Sequence, residues 1–117
     1  MAETFGSFIR KIREAHGIPL RRLANQIGIA PGYMSDIEKG RRNPPMGRLE
    51  RIATALRMTR EEKEKMYDLA GSARNEIPDD IAEYLKEHET AQAVIRQAMA
   101  EGKDDTFWIA IGRLMTS

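Results

Sequence analysis

The stretch that decides the fold is residues 19–40, PLRRLANQIGIAPGYMSDIEKG. Apolar residues recur in it at intervals of three and four, which predicts a short helix over 19–27: Leu20, Leu23, Ala24 and Ile27. Gly28 ends this helix, because a left-handed backbone at that point costs other residues about 1 kcal/mol or more. Pro31 suits the first turn of a second helix over 31–39. The stretch therefore predicts two short helices joined by a three-residue turn.

The rest of the chain also has the helical period. Apolar residues repeat with it from Phe5 up to Gly17, and in five later segments: 46–57, 60–72, 79–88, 91–101 and 105–115. Thr59 with Glu62 predicts a capping box for 60–72, and Thr90 is the expected cap of 91–101. No long apolar–polar alternation and no Asn-Gly or Asp-Gly turn occurs, so strands are not indicated. The predicted fold class is all-α.

The polar, proline-containing segment SARNEIPDD, residues 72–80, is the expected domain boundary. It predicts a first domain over 1–72 and a helical C-terminal segment over 77–117. Charge separates the chain in a similar way. Residues 1–58 hold 11 basic and 5 acidic residues, a net +6, whereas 59–117 hold 8 basic and 13 acidic, a net −5. The first part is therefore expected to bind a polyanion. The alternative is that the asymmetry is an ordinary scatter of surface charge.

The wider pattern R13…G17-I-P-L-R-R-L-A-N-Q-I-G28-I-A-P-G-Y-M-S-D-I-E-K-G40-R-R-N-P44…L49-x-x-I-A-x-A-L56 resembles the phage-repressor-type helix-turn-helix family, also called XRE or lambda-repressor-like. The resemblance covers roughly residues 5–70. It implies a five-helix lambda-repressor-like DNA-binding domain, followed here by a short helical C-terminal extension. It also implies a sequence-specific regulator that binds double-stranded DNA, expected to be a repressor that blocks polymerase by occupancy.

The resemblance makes 31–39 the recognition helix, lying in the major groove. The base-facing residues would be Pro31, Gly32, Tyr33, Ser35 and Asp36. Members of the family often carry amide side chains at the positions of Pro31 and Gly32, and these two residues cannot replace their hydrogen bonds. Direct readout would then fall on the remaining three, while Pro31 and Gly32 let the backbone approach DNA closely.

Two of these residues have an alternative. Asp36 accepts a hydrogen bond from cytosine N4, or is a solvated carboxylate neutralised by Arg42 or Lys39. Tyr33 contacts a thymine methyl group or a phosphate, or packs against the first helix.

Phosphate contacts are assigned to four arginines through the resemblance and the positive charge: Arg21, Arg22, Arg41 and Arg42. Leu20 stands where the family often has a phosphate-binding glutamine. Arg48 and Arg51 are expected to be solvated or to flank the DNA. The resemblance also implies a buried ion pair between Arg13 and Glu38.

The C-terminal segment is too small to bury much apolar surface alone, so its apolar faces must pack on the first domain, on a second copy or on another protein. Dimerisation is the favoured interpretation, with two recognition helices about 34 Å apart on a palindrome. The expected contact residues are Phe107, Trp108, Ile111, Leu114 and Met115. The alternative is that Phe107 and Trp108 close a monomeric core.

Composition excludes several other functions. The chain has no cysteine, and its two histidines, His16 and His88, are far apart. No catalytic Ser/His/Asp set, Gly-rich phosphate loop or ligand cluster is evident, so no enzyme activity, metal or cofactor is expected. Without an apolar run of about 18 residues or a signal peptide, we expect a cytoplasmic protein with no membrane partner. The alternative function is a protein-interaction module or antitoxin whose main partner is a protein.

Overall fold

The computed structural model describes residues 2–116, and all regular elements in that range are α-helices, as the sequence predicts. The helices are α1 (Phe5–Ala15), α2 (Leu20–Ile27), α3 (Pro31–Glu38), α4 (Leu49–Ala55), α5 (Arg60–Arg74), α6 (Asp79–Lys86), α7 (Glu89–Ala100) and α8 (Asp105–Thr116). The chain divides into two compact units, one reaching to Asp80 and one beginning at Ile81. The domain limits inferred from sequence, 1–72 and 77–117, stay predictions.

Two capping boxes start helices of the first unit. In the predicted one, the Glu62 N–H donates to Thr59 Oγ1 at 3.1 Å and the Thr59 N–H donates to Glu62 Oε1 at 2.9 Å. A second box at the start of α1 was not predicted: Ser7 and Thr4 exchange the same pair of bonds at 3.1 and 2.9 Å. Serine replaces the usual Glu or Gln there, which hides the signal in the sequence.

Four predicted helices have wrong boundaries, and one of them is the sixth, which ends at Lys86 rather than at residue 88. The fourth helix spans 49–55 rather than 46–57, because Gly47 and Arg57 both have a left-handed backbone that a helix cannot contain. The fifth helix continues past Ser72 to Arg74, where Asn75 takes the left-handed position that closes it. The seventh helix begins at Glu89 with His88 as its cap, so Thr90 lies inside the helix.

The first five helices enclose one apolar core, contributed mainly by the predicted inward faces: Phe5, Phe8, Ile9, Ile12, Leu23, Ala24, Ile27, Met34, Ile37, Leu49, Ile52, Ala53, Leu56, Met66, Tyr67 and Ala70. Tyr67 was not predicted to be buried. Its hydroxyl donates to Glu50 at 2.6 Å, and Lys63 Nζ lies 2.8 Å from the same carboxylate. The hydrogen bonds from Lys63 and then from Tyr67 lower the pKa of Glu50 and connect α4 with α5.

The second unit buries far less. Among its described residues only Ala98 is buried, and apolar side chains of all three helices are exposed, Ile81, Val94 and Ile109 among them. Within this unit, the faces predicted to pack are therefore largely exposed among the described residues. None of the helices in residues 2–116 combines the length and apolar character needed to cross a membrane.

Candidate nucleic-acid interface

The turn between α2 and α3 has the geometry that the sequence predicts. Gly28 has φ of 78°, and the Ile29 N–H donates to the Ala24 carbonyl at 3.0 Å, which closes the C-terminus of α2. Ile29 is half-buried against the core. Ala24 is fully buried and lacks a bulky side chain, so the two helices can pack closely at this point.

Arg48 adds a contact to this turn that the sequence did not predict. Its Nε donates to the Ile27 carbonyl at 3.0 Å, so the side chain satisfies one of the free carbonyls at the end of α2. The half-buried Arg48 is thus not the fully solvated side chain that was one of the two expectations. The other, that it flanks the DNA, stays a prediction. The donor and the acceptor of this hydrogen bond lie 21 residues apart in the sequence, and no local sequence pattern predicts such a bond.

Helix α3 presents one face to the core and one outward. Met34, Ile37 and Glu38 are buried, whereas Gly32 and Tyr33 are exposed. The other three predicted base-facing residues are half-buried: Pro31, Ser35 and Asp36. Pro31 begins the helix, and no side chain caps its N-terminus. The outward face is therefore small, with Tyr33 as its largest side chain.

The two arginines that follow α3 fold back onto its outward face. The guanidinium of Arg42 lies 4.7 Å from the centroid of the Tyr33 ring, within the range of a cation–π interaction. Arg41 Nη1 lies 3.9 Å from Asp36 Oδ1, and the Arg41 N–H donates to the Asp36 carbonyl at 2.8 Å. The alternative in which Arg42 or Lys39 neutralises Asp36 is thus wrong, because the ion pair of Asp36 is with Arg41.

The same geometry places Tyr33 against Arg42. The alternative contact of Tyr33 with the first helix stays a prediction. The Arg41 side chain is 70% exposed, so its ion pair with Asp36 is weak and can exchange for another anion. Both arginines therefore remain available to phosphate while they lie beside the predicted base-facing residues.

The other two predicted phosphate-binding arginines lie on α2. Arg21 is exposed and forms no ion pair in the described part of the chain. Arg22 lines an open groove between α2 and α4 together with His16, Arg51 and Arg57. The structure thus groups Arg41 and Arg42 with α3, and Arg22 with Arg51.

Arg13 and Glu38 form a two-pronged ion pair between α1 and α3. Arg13 Nε and Nη2 lie 2.7 and 2.9 Å from the two carboxylate oxygens, and Nη1 donates to the Ile18 carbonyl at 2.8 Å. The hydrogen bonds that Arg13 donates to the Glu38 carboxylate are the main cause that raises the pKa of Arg13. This pair fixes the C-terminal end of α3 against α1 and the following loop.

Gly6 helps to determine the position of α3, and the sequence analysis did not predict this role. A Cβ at this position would collide with the carbonyl oxygens of Ile37 and Glu38, the latter at 2.6 Å. Glycine therefore lets α1 touch the end of α3. A lone glycine inside an amphipathic helix is the signal that could have identified it.

An all-α unit with two helices joined through Gly28, and with exposed arginines beside the second helix, defines the helix-turn-helix class of DNA-binding domain. Residues 4–66 match the family described as "Helix-turn-helix domain". The chain belongs to this family, and its predicted assignment to the XRE-type transcriptional regulators is confirmed.

Curated relatives carry the same description. "Uncharacterized HTH-type transcriptional regulator Rv0474" of Mycobacterium tuberculosis is 43% identical over 56 residues, which are 48% of this chain and 40% of the relative. "Transcriptional regulator ClgR" of the same species is 36% identical over 56 residues, 48% of this chain and 50% of the relative. The match thus spans two fifths to one half of the length of these relatives.

Among solved structures, the restriction-modification controller protein C.AhdI from Aeromonas hydrophila is similar to this chain. It is 32% identical, covers 50% of this chain and 89% of its own, and has a TM-score of 0.46.

In residues 2–116 no group of three or more histidines or carboxylates could hold a metal ion.

Proposed function

We propose that this protein is a sequence-specific double-stranded-DNA-binding repressor that reads the major groove with α3. The observation that carries the proposal is the contact of Arg42 with Tyr33 and of Arg41 with Asp36. It places two exposed guanidiniums at the edge of the outward face of α3. A phosphate-binding group beside a base-reading face is the arrangement that major-groove recognition requires.

Base readout is assigned to three side chains of α3. Tyr33 offers its ring edge to a thymine methyl group, and Ser35 donates to or accepts from base edges. Asp36 accepts from cytosine N4 when Arg41 leaves it for a phosphate. Pro31 and Gly32 supply no side-chain hydrogen bond, and they let the backbone of α3 come close to the DNA.

Phosphate binding is assigned to Arg41 and Arg42 first, and to Arg21 at the start of α2. No side chain caps the N-terminus of α2, which begins after Pro19, so its free N–H groups add to the attraction for a phosphate. Arg22 contributes from the neighbouring groove. Each phosphate neutralised adds about 0.9 to the salt slope of binding.

The functional unit in this proposal is a cytoplasmic homodimer on a palindromic operator. The second unit contributes the contact through α8, where Trp108, Leu114 and Met115 are exposed, while Phe107 and Ile111 are half-buried. Occupation of the operator by two recognition helices about 34 Å apart excludes polymerase.

Selection of bound sequences from a random duplex library tests the proposal. The expected result is a palindromic motif whose half-sites are one helical turn apart, bound with an affinity that falls steeply between 50 and 200 mM salt. Arg60→Ala is the control for variants of the DNA-binding arginines, because Arg60 is an exposed arginine of α5 outside the proposed surface.

A second candidate function is a protein-interaction module or antitoxin, which the absence of hydrogen-bonding side chains at Pro31 and Gly32 favours. It predicts no enrichment from the library and no salt-sensitive binding to genomic fragments. That result would overturn the proposal of a sequence-specific regulator.

A further inference from the structure

Helix α8 carries an apolar face that the other helices of its own unit, α6 and α7, leave exposed. Trp108, Ile109 and Met115 are 40%, 55% and 81% exposed, although tryptophan and isoleucine normally bury most of their surface in a folded protein. The unit that contains α8 has almost no core of its own, with only Ala98 buried among its described residues. This face is therefore suited to contact with another molecule.

The glycines inside helices differ in whether a contact in the described residues explains them. Gly6 and Gly71 have a steric reason, since an added Cβ would clash with backbone atoms, at 2.6 Å from the Glu38 oxygen and 2.8 Å from the Glu76 oxygen. Gly32 and Gly112 have none, because a Cβ at either position meets no other atom of residues 2–116 within 4 Å. A glycine inside a helix costs about 1 kcal/mol relative to alanine, so an unexplained one suggests close approach from outside.

The two charges of α8 are arranged symmetrically. Asp105 and Arg113 are the only charged residues between 105 and 116, and Ile109 lies midway between them. Neither residue forms an ion pair within the described chain. In two antiparallel copies of α8 related by a two-fold axis at Ile109, each Asp105 would lie opposite Arg113 of the second copy.

We propose that α8 pairs antiparallel with α8 of a second copy of this chain, with the crossing at Ile109 and Gly112. Gly112 lets the two backbones approach closely, Trp108 and Ile109 cover the crossing, and two Asp105–Arg113 pairs close its ends. The face is complementary to itself, which favours a second copy over an unrelated protein. This inference rests on the homodimer of the proposed function and gives it a specific interface.

Sedimentation of the full chain without DNA tests the interface. Wild type is expected to be a dimer, and Asp105→Arg or Arg113→Asp alone should weaken it about ten-fold, because each variant creates two like-charged contacts. The double variant Asp105→Arg/Arg113→Asp restores opposite charges and should restore the dimer. Arg96→Asp, the same charge reversal at an exposed position of α7, should leave the dimer unchanged.

Gly112→Ala gives a second, independent measurement. An uncovered α8 would gain stability from alanine, so the melting temperature would rise and the dimer would be unaffected. A close crossing instead predicts a dimer weakened ten-fold or more. Ile109→Cys, a single thiol in a cysteine-free chain, should form a covalent dimer under copper-catalysed oxidation by O2, whereas Arg96→Cys should not.

Three outcomes would overturn the inference: a monomeric wild type, a double charge reversal that does not recover the dimer, or a Gly112→Ala variant that dimerises normally. None of these measurements contains DNA. A failure here therefore leaves the library selection to decide the proposed function, and an absence of DNA binding leaves the dimer test unaffected.

Discussion

The carboxylate of Glu38 accepts two hydrogen bonds from the guanidinium of Arg13, at 2.7 and 2.9 Å, across the interface of α1 and α3. The two side chains are 12% and 4% exposed, so the pair lies almost wholly out of water. A buried pair of this kind stabilises little relative to apolar residues of the same shape, but the loss of one partner leaves a charge without solvent or counter-ion. The pair therefore makes the position of α3 depend on α1.

Glu38→Ala is expected to lower the free energy of unfolding by about 3–5 kcal/mol, since it leaves the Arg13 guanidinium buried and unpaired. Urea denaturation followed by circular dichroism measures this loss. Glu14→Ala is the matched control: Glu14 pairs with Arg10 at 2.6 Å on the surface of α1, and its removal should cost less than about 1 kcal/mol. Equal losses in the two variants would contradict the structural role of the buried pair.

The sequence predicted the elements that local rules control. Gly28 and the Thr59–Glu62 box follow from backbone geometry and spacing, and the inward faces of α1–α5 follow from the helical period. It failed where a long-range contact decides the conformation. Arg48 caps a carbonyl 21 residues away, and Gly6 is required by a helix that lies 25 residues or more further along the chain.

The candidate site shows the same division. The resemblance identified α3 and the arginines after it, but the pairing of Asp36 with Arg41, rather than with Arg42 or Lys39, depends on how the loop folds back. Residues 81–116 have helical periodicity but almost no core. A periodic apolar face in the sequence indicates that some surface covers it, but it does not identify that surface.

Stability is expected to fall in acid through Glu50. Hydrogen bonds from Lys63 and Tyr67 lower its pKa from the ordinary 4.5, so the unfolded chain binds a proton more readily than the folded one. The contribution of Glu50 is thus complete above pH 4.5 and is lost as the pH falls through the lowered value. Urea midpoints measured from pH 7 to pH 3 should decline less for Glu50→Gln than for wild type.

Glu61→Gln is the control for this acid effect, because Glu61 is an exposed residue of α5 without an ion pair in the described chain. Its pH profile should follow wild type. An acid decline that is identical for Glu50→Gln and wild type would show that another carboxylate is responsible.

Arg42→Ala is expected to weaken DNA binding by a similar factor on every sequence and to reduce the salt slope by about 0.9, since Arg42 is assigned to a phosphate. Loss of its contact with Tyr33 should change folding stability by about 1 kcal/mol or less, because the Tyr33 ring is exposed. Fluorescence anisotropy at several salt concentrations measures the slope. An unchanged slope, as expected for Arg60→Ala, would remove Arg42 from the phosphate-binding set.

Gly32→Ala and Gly6→Ala are expected to have opposite effects, although each adds one methyl group to a helical glycine. At Gly6 the Cβ would collide with the Ile37 and Glu38 carbonyls, so α1 must shift and stability should fall by about 1–3 kcal/mol. At Gly32 the Cβ meets no atom of the described residues within 4 Å, so stability should be unchanged or rise by up to about 1 kcal/mol. If the backbone of α3 approaches DNA at Gly32, that stable variant should nevertheless bind its selected operator about ten-fold more weakly. Thermal melts and anisotropy titrations on the same samples separate the two effects, and wild-type affinity in Gly32→Ala would place the DNA further from this residue than the proposal requires.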